Sequence, residues 1–188
     1  MSQFEYVAVL ISIIAGLALT QILRGVGRMV TDTNGPAPYW VHLIWTLYLF
    51  LYIVAFWWWE FRLDAVEWSL TLYLVIITYA TLLFFASLVI QPGSLHGVDS
   101  YKDYFYLRRR WIFSLIIAAS LWDFLDTYVK GAGHFESLGT VYPAIMATVI
   151  IGGVIAIITT NERYHKIFSV VWLLSWSSFM YQNFFVID

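Results

Sequence analysis

Six apolar runs of roughly 20 residues follow one another through the chain, at about 4–24, 40–60, 68–90, 109–129, 142–160 and 167–187. A helix gains about 1.5 Å per residue, so a run of that length matches the roughly 30 Å thickness of a bilayer core. Short polar or Pro/Gly segments separate the runs. Thr31-Asp-Thr-Asn-Gly-Pro-Ala-Pro38 follows the first, Gln91-Pro92-Gly93 stops the third, and Gly131-Ala-Gly133 follows the fourth. Only 12% of the residues are charged, about half the share in a soluble domain. The expected fold is an all-α integral membrane protein, a six-transmembrane-helix bundle forming a single transmembrane domain over residues 1–188.

The distribution of charge predicts an orientation. Arg24, Arg28, Lys102, Arg108, Arg109, Arg110, Arg163 and Lys166 lie at the first, third and fifth loops, eight of the ten basic residues, whereas Arg62 and Lys130 lie at the other side. By the positive-inside rule, the N-terminus and C-terminus are both expected outside, in a multi-pass protein of the plasma (inner) membrane. Glu5, Glu60, Asp64, Glu67, Asp123, Asp126, Glu136 and Asp188 fall in or toward the outer half. No basic residue precedes the first run and no small-residue cleavage site follows it, so it reads as a retained span. Tyr39, Trp40, Trp57, Trp58, Trp59, Trp68, Trp111, Tyr128 and Tyr142 at the run ends fit an interfacial aromatic belt. Ser100, with Asp103 three residues on, resembles a helix N-cap pair, so the fourth helix is expected to start at the membrane surface and run to Val129. Pro143 suits the first turn of the fifth.

Six spans divide as three plus three with opposite orientations, which leaves an inverted arrangement open. The best local echo, Ile13-Ile-Ala-Gly16 against Ile116-Ile-Ala-Ala119, is only four apolar residues. Small residues at every fourth position form stripes on span one (Ala8, Ser12, Gly16, Thr20) and span five (Ala144, Thr148, Gly152, Ala156, Thr160). Such stripes let helix backbones approach closely in lipid. The two spans run in the same direction and are expected to touch each other, or one stripe serves a neighbouring subunit.

Charges within a span are costly. Asp123 is 13 residues past Arg110, about 20 Å from the inner interface, and Asp126 is one turn further on the same face. A carboxylate in the core costs on the order of 2.5 to 3.5 kcal/mol on insertion scales and normally faces protein or water. Two such acids repel when both are ionised, a setting suited to proton or cation handling. Gln182, Asn183, Glu60 and Glu5 are expected at similar depth, where all six would form an acidic, partly hydrated outer vestibule. Thr20, Gln21, Arg24 and His42 form a second polar group toward the inner end. The plainer alternatives are a solvated rim, an Asp123 bonded to another helix, and a packing histidine.

Several chemistries are excluded. The chain has no cysteine, hence no disulfide, cysteine-held iron–sulfur cluster or thiolate catalysis. No lysine lies within a span for a retinal Schiff base, and basic residues do not repeat through a helix centre as in a voltage sensor. There is no Thr-Val-Gly-Tyr-Gly filter, Gly-x-Ser-x-Gly elbow or His-Glu-x-x-His helix. Within a span the sequence places only His42, which His96 could approach from a loop, so a haem- or quinone-binding redox protein is the least favoured reading. The expectation is a small channel or transporter for protons, small cations or a small polar solute. Its alternative is a non-catalytic subunit or scaffold assembling through small-residue helix faces. No enzyme activity, cofactor, metal or nucleic-acid partner is expected; the expected partners are the lipid bilayer and either further copies of the chain or a membrane subunit.

Overall fold

A computed structural model describes residues 3–32, 34–60, 68–93, 98–129, 135 and 138–184. Among these there is no strand, and six helices carry the architecture: α1 Gln3–Thr31, α2 Trp40–Glu60, α3 Leu70–Ile90, α4 Tyr101–Val129, α5 Val141–Ile158 and α6 Glu162–Phe184. Five of them, α1 to α5, are long and apolar enough to cross a membrane, the pattern of a multi-pass membrane protein. α6 is long enough at 23 residues, but Ser169, Ser175, Ser177, Ser178, Gln182 and Asn183 make it less apolar. Leu17, Leu23, Leu74, Trp111, Ile151 and Leu174 are each more than half exposed. That many outward apolar side chains would form a large patch in water, and they suit lipid.

The helix ends differ from the sequence expectation for identifiable reasons. α1 continues past residue 24 to Thr31 because its last turns are anchored, the Arg28 guanidinium donating to the carbonyls of Pro92 and Gly93, both at 2.6 Å. α3 starts at Leu70, capped by the Ser69 hydroxyl, which accepts from the Leu72 N–H. α4 starts at Tyr101, eight residues before the fourth apolar run, and here the predicted cap forms: the Ser100 hydroxyl accepts from the Asp103 N–H and donates to its carboxylate. α6 starts at Glu162, five residues before the sixth run, because the Asn161 side chain accepts from the N–H groups of Arg163 and Tyr164. The last residues of that run, 185–187, lie outside the described residues, as do Arg62, Asp64, Glu67, His96, Lys130, the 131–133 loop, Glu136 and Asp188.

α1, α3, α4 and α5 pack side by side in that order, and α2 lies across them, touching α1, α3, α4 and α6. α2 is the most enclosed of the five apolar helices. Its core is aromatic: Trp45 meets Phe113 edge-on at 4.9 Å, and Tyr48 meets Trp172 and Trp176 at 5.6 and 5.3 Å. In lipid the contact quality of such rings, rather than exclusion from water, holds helices together. The close packing of α1 on α3 has no counterpart between α4 and α6, so the contacts lend the three-plus-three inverted arrangement no support.

At the basic end the Tyr104 hydroxyl donates to the Val89 carbonyl at 2.7 Å, and Glu162 bridges Lys102 and Lys166 at 2.7 and 2.8 Å. The hydrogen bond from Lys102, then that from Lys166, holds the Glu162 carboxyl down at about 2. A depressed carboxyl contributes stability that is present above its unfolded value near 4.5 and lost as pH falls through 2. Glu162→Gln is therefore expected to lower Tm slightly at pH 5 and low salt, with the deficit shrinking toward pH 2. It should also shrink in high salt, since all three groups are exposed. Thermal unfolding of both proteins across that range checks this.

Candidate functional site

Deeper in the bundle, α2, α3, α4 and α5 converge on one buried carboxylate. Asp123 is 4% exposed. Its Oδ1 accepts from the Tyr79 hydroxyl of α3 at 2.8 Å and its Oδ2 from the Tyr142 hydroxyl of α5 at 2.7 Å. The chain of hydroxyls continues on both sides. Tyr79 meets Tyr52 of α2 at 2.6 Å, and Tyr142 meets Thr127 at 3.1 Å; with both phenol protons given to Asp123, Tyr52 and Thr127 are the donors. The sequence builds this from spacing: Asp123 and Thr127 are one turn apart on α4, and Tyr142 in the first turn of α5 meets both. Two phenols suit the acceptor capacity of a carboxylate, and hydrogen bonds to charged groups are stronger than neutral ones.

Beside this network lies a cavity. Asp123, Asp126, Ser120 and Thr127 supply its polar wall from α4, while Tyr48, Tyr52, Trp59, Trp172 and Trp176 are among the rings that complete it. Its volume is about 30 Å³, which admits water. Tyr48 and Tyr52 stack at 5.5 Å, and Trp176 meets both edge-on at 5.3 and 6.0 Å. Among the described residues no lysine or arginine lines the cavity, and no group of three or more His, Cys, Asp or Glu could hold a metal ion.

The structure brings together only part of the expected outer group. Asp123 and Asp126 share the cavity wall. Glu60 is buried at 2% exposure but is not part of that wall, and Glu5 is exposed. Gln182 and Asn183 are exposed and bonded along their own helix, to the Ser178 hydroxyl and the Phe179 carbonyl. Tyr142 belongs to the site rather than to an interfacial belt, and Tyr39 is likewise buried, whereas Trp40, Trp57, Trp58, Trp111 and Tyr128 are exposed as a belt requires. Tyr52 and Tyr79 carry no motif in the sequence. Their signal was position: a tyrosine at mid-span must find a partner for its hydroxyl.

The inner group separates as well. Thr20 is exposed and donates to the Gly16 carbonyl at 2.7 Å; Gln21 is half-buried and Arg24 exposed. His42 is fully buried, its Nε2 at 2.7 Å from the Ile90 carbonyl and its ring against Tyr101 and Tyr104. Its polar neighbourhood includes Gln91, whose amide donates to the Thr46 hydroxyl at 3.2 Å.

The small-residue stripes also part company. α1 and α5 make no substantial contact. Ser12, Gly16 and Thr20 are exposed, and a Cβ at Gly16 would meet nothing within 4 Å; α1 instead buries Val7, Ile11, Ala15, Ala18 and Ile22. On α5, Thr148 is exposed, Gly152 abuts Phe168 of α6 and Ala156 is buried. Compared with protein-family models, with curated proteins and with solved structures, the chain finds no match, so its function is argued from this geometry alone.

Proposed function

We propose that the protein is a small six-span channel or transporter of the plasma membrane, with both termini outside, that moves protons or a small polar cation through a site in its outer half. The observation that carries this reading is Asp123: a carboxylate buried among hydroxyls from three helices, beside a cavity that it shares with Asp126. A costly intramembrane acid facing a cavity is what a cation or proton site requires. The phenol chain Tyr52–Tyr79–Asp123–Tyr142–Thr127 gives a proton successive acceptors across four helices. Eight of ten basic residues at the opposite end support the orientation.

The purified chain reconstituted in liposomes tests this. Under an imposed gradient, native protein is expected to carry protons or small cations, and Asp123→Asn with Asp126→Asn to cut the flux at least tenfold while folding normally. No flux from a folded native protein under any gradient would refute the reading. A second reading, a scaffold subunit, is favoured by one observation, the uncovered Ser12, Gly16 and Thr20 face of α1. Absence of flux together with a stoichiometric co-purifying membrane partner would establish it.

A further inference from the structure

The basic end of the bundle carries more positive charge than its own acids balance. Eight basic residues stand there with four acids, Asp32, Asp99, Asp103 and Glu162, an excess of four positive charges. Glu162 takes up Lys102 and Lys166, and Arg28 is committed to the Pro92 and Gly93 carbonyls. Arg24, Arg108, Arg110 and Arg163 are exposed, and none of them makes an ion pair among the described residues.

Depth places these arginines at the headgroups. α4 has 29 residues, about 43 Å of helix against a bilayer core of about 30 Å. Its first eight residues precede the apolar run at 109, so Arg108 and Arg110 stand where that run begins. Contacts at this end bring α1 to the same height. Arg28 reaches Pro92 and Gly93, and Tyr104 reaches Val89, three residues before Pro92. One turn deeper from each, Arg24 and Arg108 lie within about 5 Å of one level. Each exposed arginine also adjoins an outward apolar side chain: Leu23 beside Arg24, Leu107 and Trp111 beside Arg108 and Arg110, and Ile167 one turn from Arg163, all more than half exposed. A surface that is cationic at its rim and apolar just inside matches phosphates above acyl chains. A soluble acidic partner would leave the apolar half uncovered.

We infer that, whatever the cavity carries, the basic end is a docking surface for anionic phospholipid, with headgroup phosphates held by Arg108 and Arg110 of α4 and by Arg24 and Arg163 beside them. The guanidinium fork matches phosphate oxygens in pairs, and each basic residue near an anionic membrane surface is worth about fivefold in affinity. A zwitterionic lipid brings the same phosphate with a cation attached, so the excess positive charge selects against it.

Native mass spectrometry of the purified full-length protein in detergent, with phosphatidylglycerol and phosphatidylcholine of matched chains, tests this. Phosphatidylglycerol is expected to be retained about tenfold more tightly, and the preference should shrink as ammonium acetate is raised. Arg108→Gln with Arg110→Gln should reduce the preference about fivefold or more. Arg108→Lys with Arg110→Lys keeps the charge and should reduce it less. Where the glutamine variant does not fold, the lysine variant and the salt series carry the test. Equal retention of the two lipids by the native protein overturns the inference, as does a preference that survives the glutamine substitutions or high salt. Polyglutamate that binds as tightly as phosphatidylglycerol and displaces it overturns the lipid assignment in favour of an acidic protein segment. A phosphatidylglycerol preference in a protein that shows no liposome flux supports the lipid surface and refutes transport alone.

Discussion

Asp123→Asn is expected to abolish flux yet leave the folded protein within about 1 kcal/mol of the native stability. Two opposing terms set the second half of that expectation. Each charge-assisted hydrogen bond from Tyr79 and Tyr142 contributes about 1.5 to 3 kcal/mol. Burying a carboxylate costs several kcal/mol even after relaxation. The two terms nearly cancel. Asparagine also keeps both contacts, because its oxygen accepts from one phenol and its amide donates to the other, and the displaced phenol proton turns to Tyr52 or Thr127, whose own hydroxyl proton must then turn elsewhere. Removing the donors instead should be far worse: Tyr79→Phe with Tyr142→Phe takes both phenols from a buried carboxylate, at a cost of about 3 to 5 kcal/mol. Thermal unfolding in detergent, paired with flux in liposomes, reads both variants. If Asp123→Asn itself cost more than about 3 kcal/mol, the aspartate would be a structural keystone and the scaffold reading would gain.

Helix α4 shows how much of this was legible. Its cap at Ser100, its arginines and its two buried acids all follow from residue type and one-dimensional spacing, which a helix converts directly into height and face. The partners of those acids do not. α3 is apolar nearly all round, so no periodicity marks Tyr79 as inward-facing, and Tyr142, near the start of its span, looks the same as a belt tyrosine until α4 is placed against it. Gln91 reads as the residue that ends α3, yet it is fully buried, because its side chain lies against Gly25 of α1 and its amide donates to Thr46 of α2. Gln182 and Asn183 err the other way. Their depth along α6 was read from spacing, but depth does not give azimuth, and they face away from the cavity. Charge patterning thus located the acids, while the identity of the aromatic wall required the packing of α2 against α6.

The glycines of α1 carry the second large expected effect, and its sign depends on which face of the helix is an interface. Gly25→Ala should destabilise the protein by about 1 to 3 kcal/mol, as overpacking typically does. A Cβ there would overlap the Gln91 side chain, with Cγ 2.7 Å away, and Gln91 is buried with its amide committed to Thr46. The side chain cannot yield without giving up that bond. Gly16→Ala, nine residues earlier on the same helix, has open space and should be neutral or stabilising by up to about 1 kcal/mol through helix propensity. The small-residue stripe viewed alone predicts the reverse, since Gly16 belongs to it and Gly25 does not. Thermal unfolding and size-exclusion chromatography of the two variants decide between them. Destabilisation or a change of oligomeric state on Gly16→Ala would show that the Ser12, Gly16 and Thr20 face is covered by another chain. A stable Gly16→Ala beside a weakened Gly25→Ala would place α1 as a helix whose contacts lie inward, against α3 and the closed basic end.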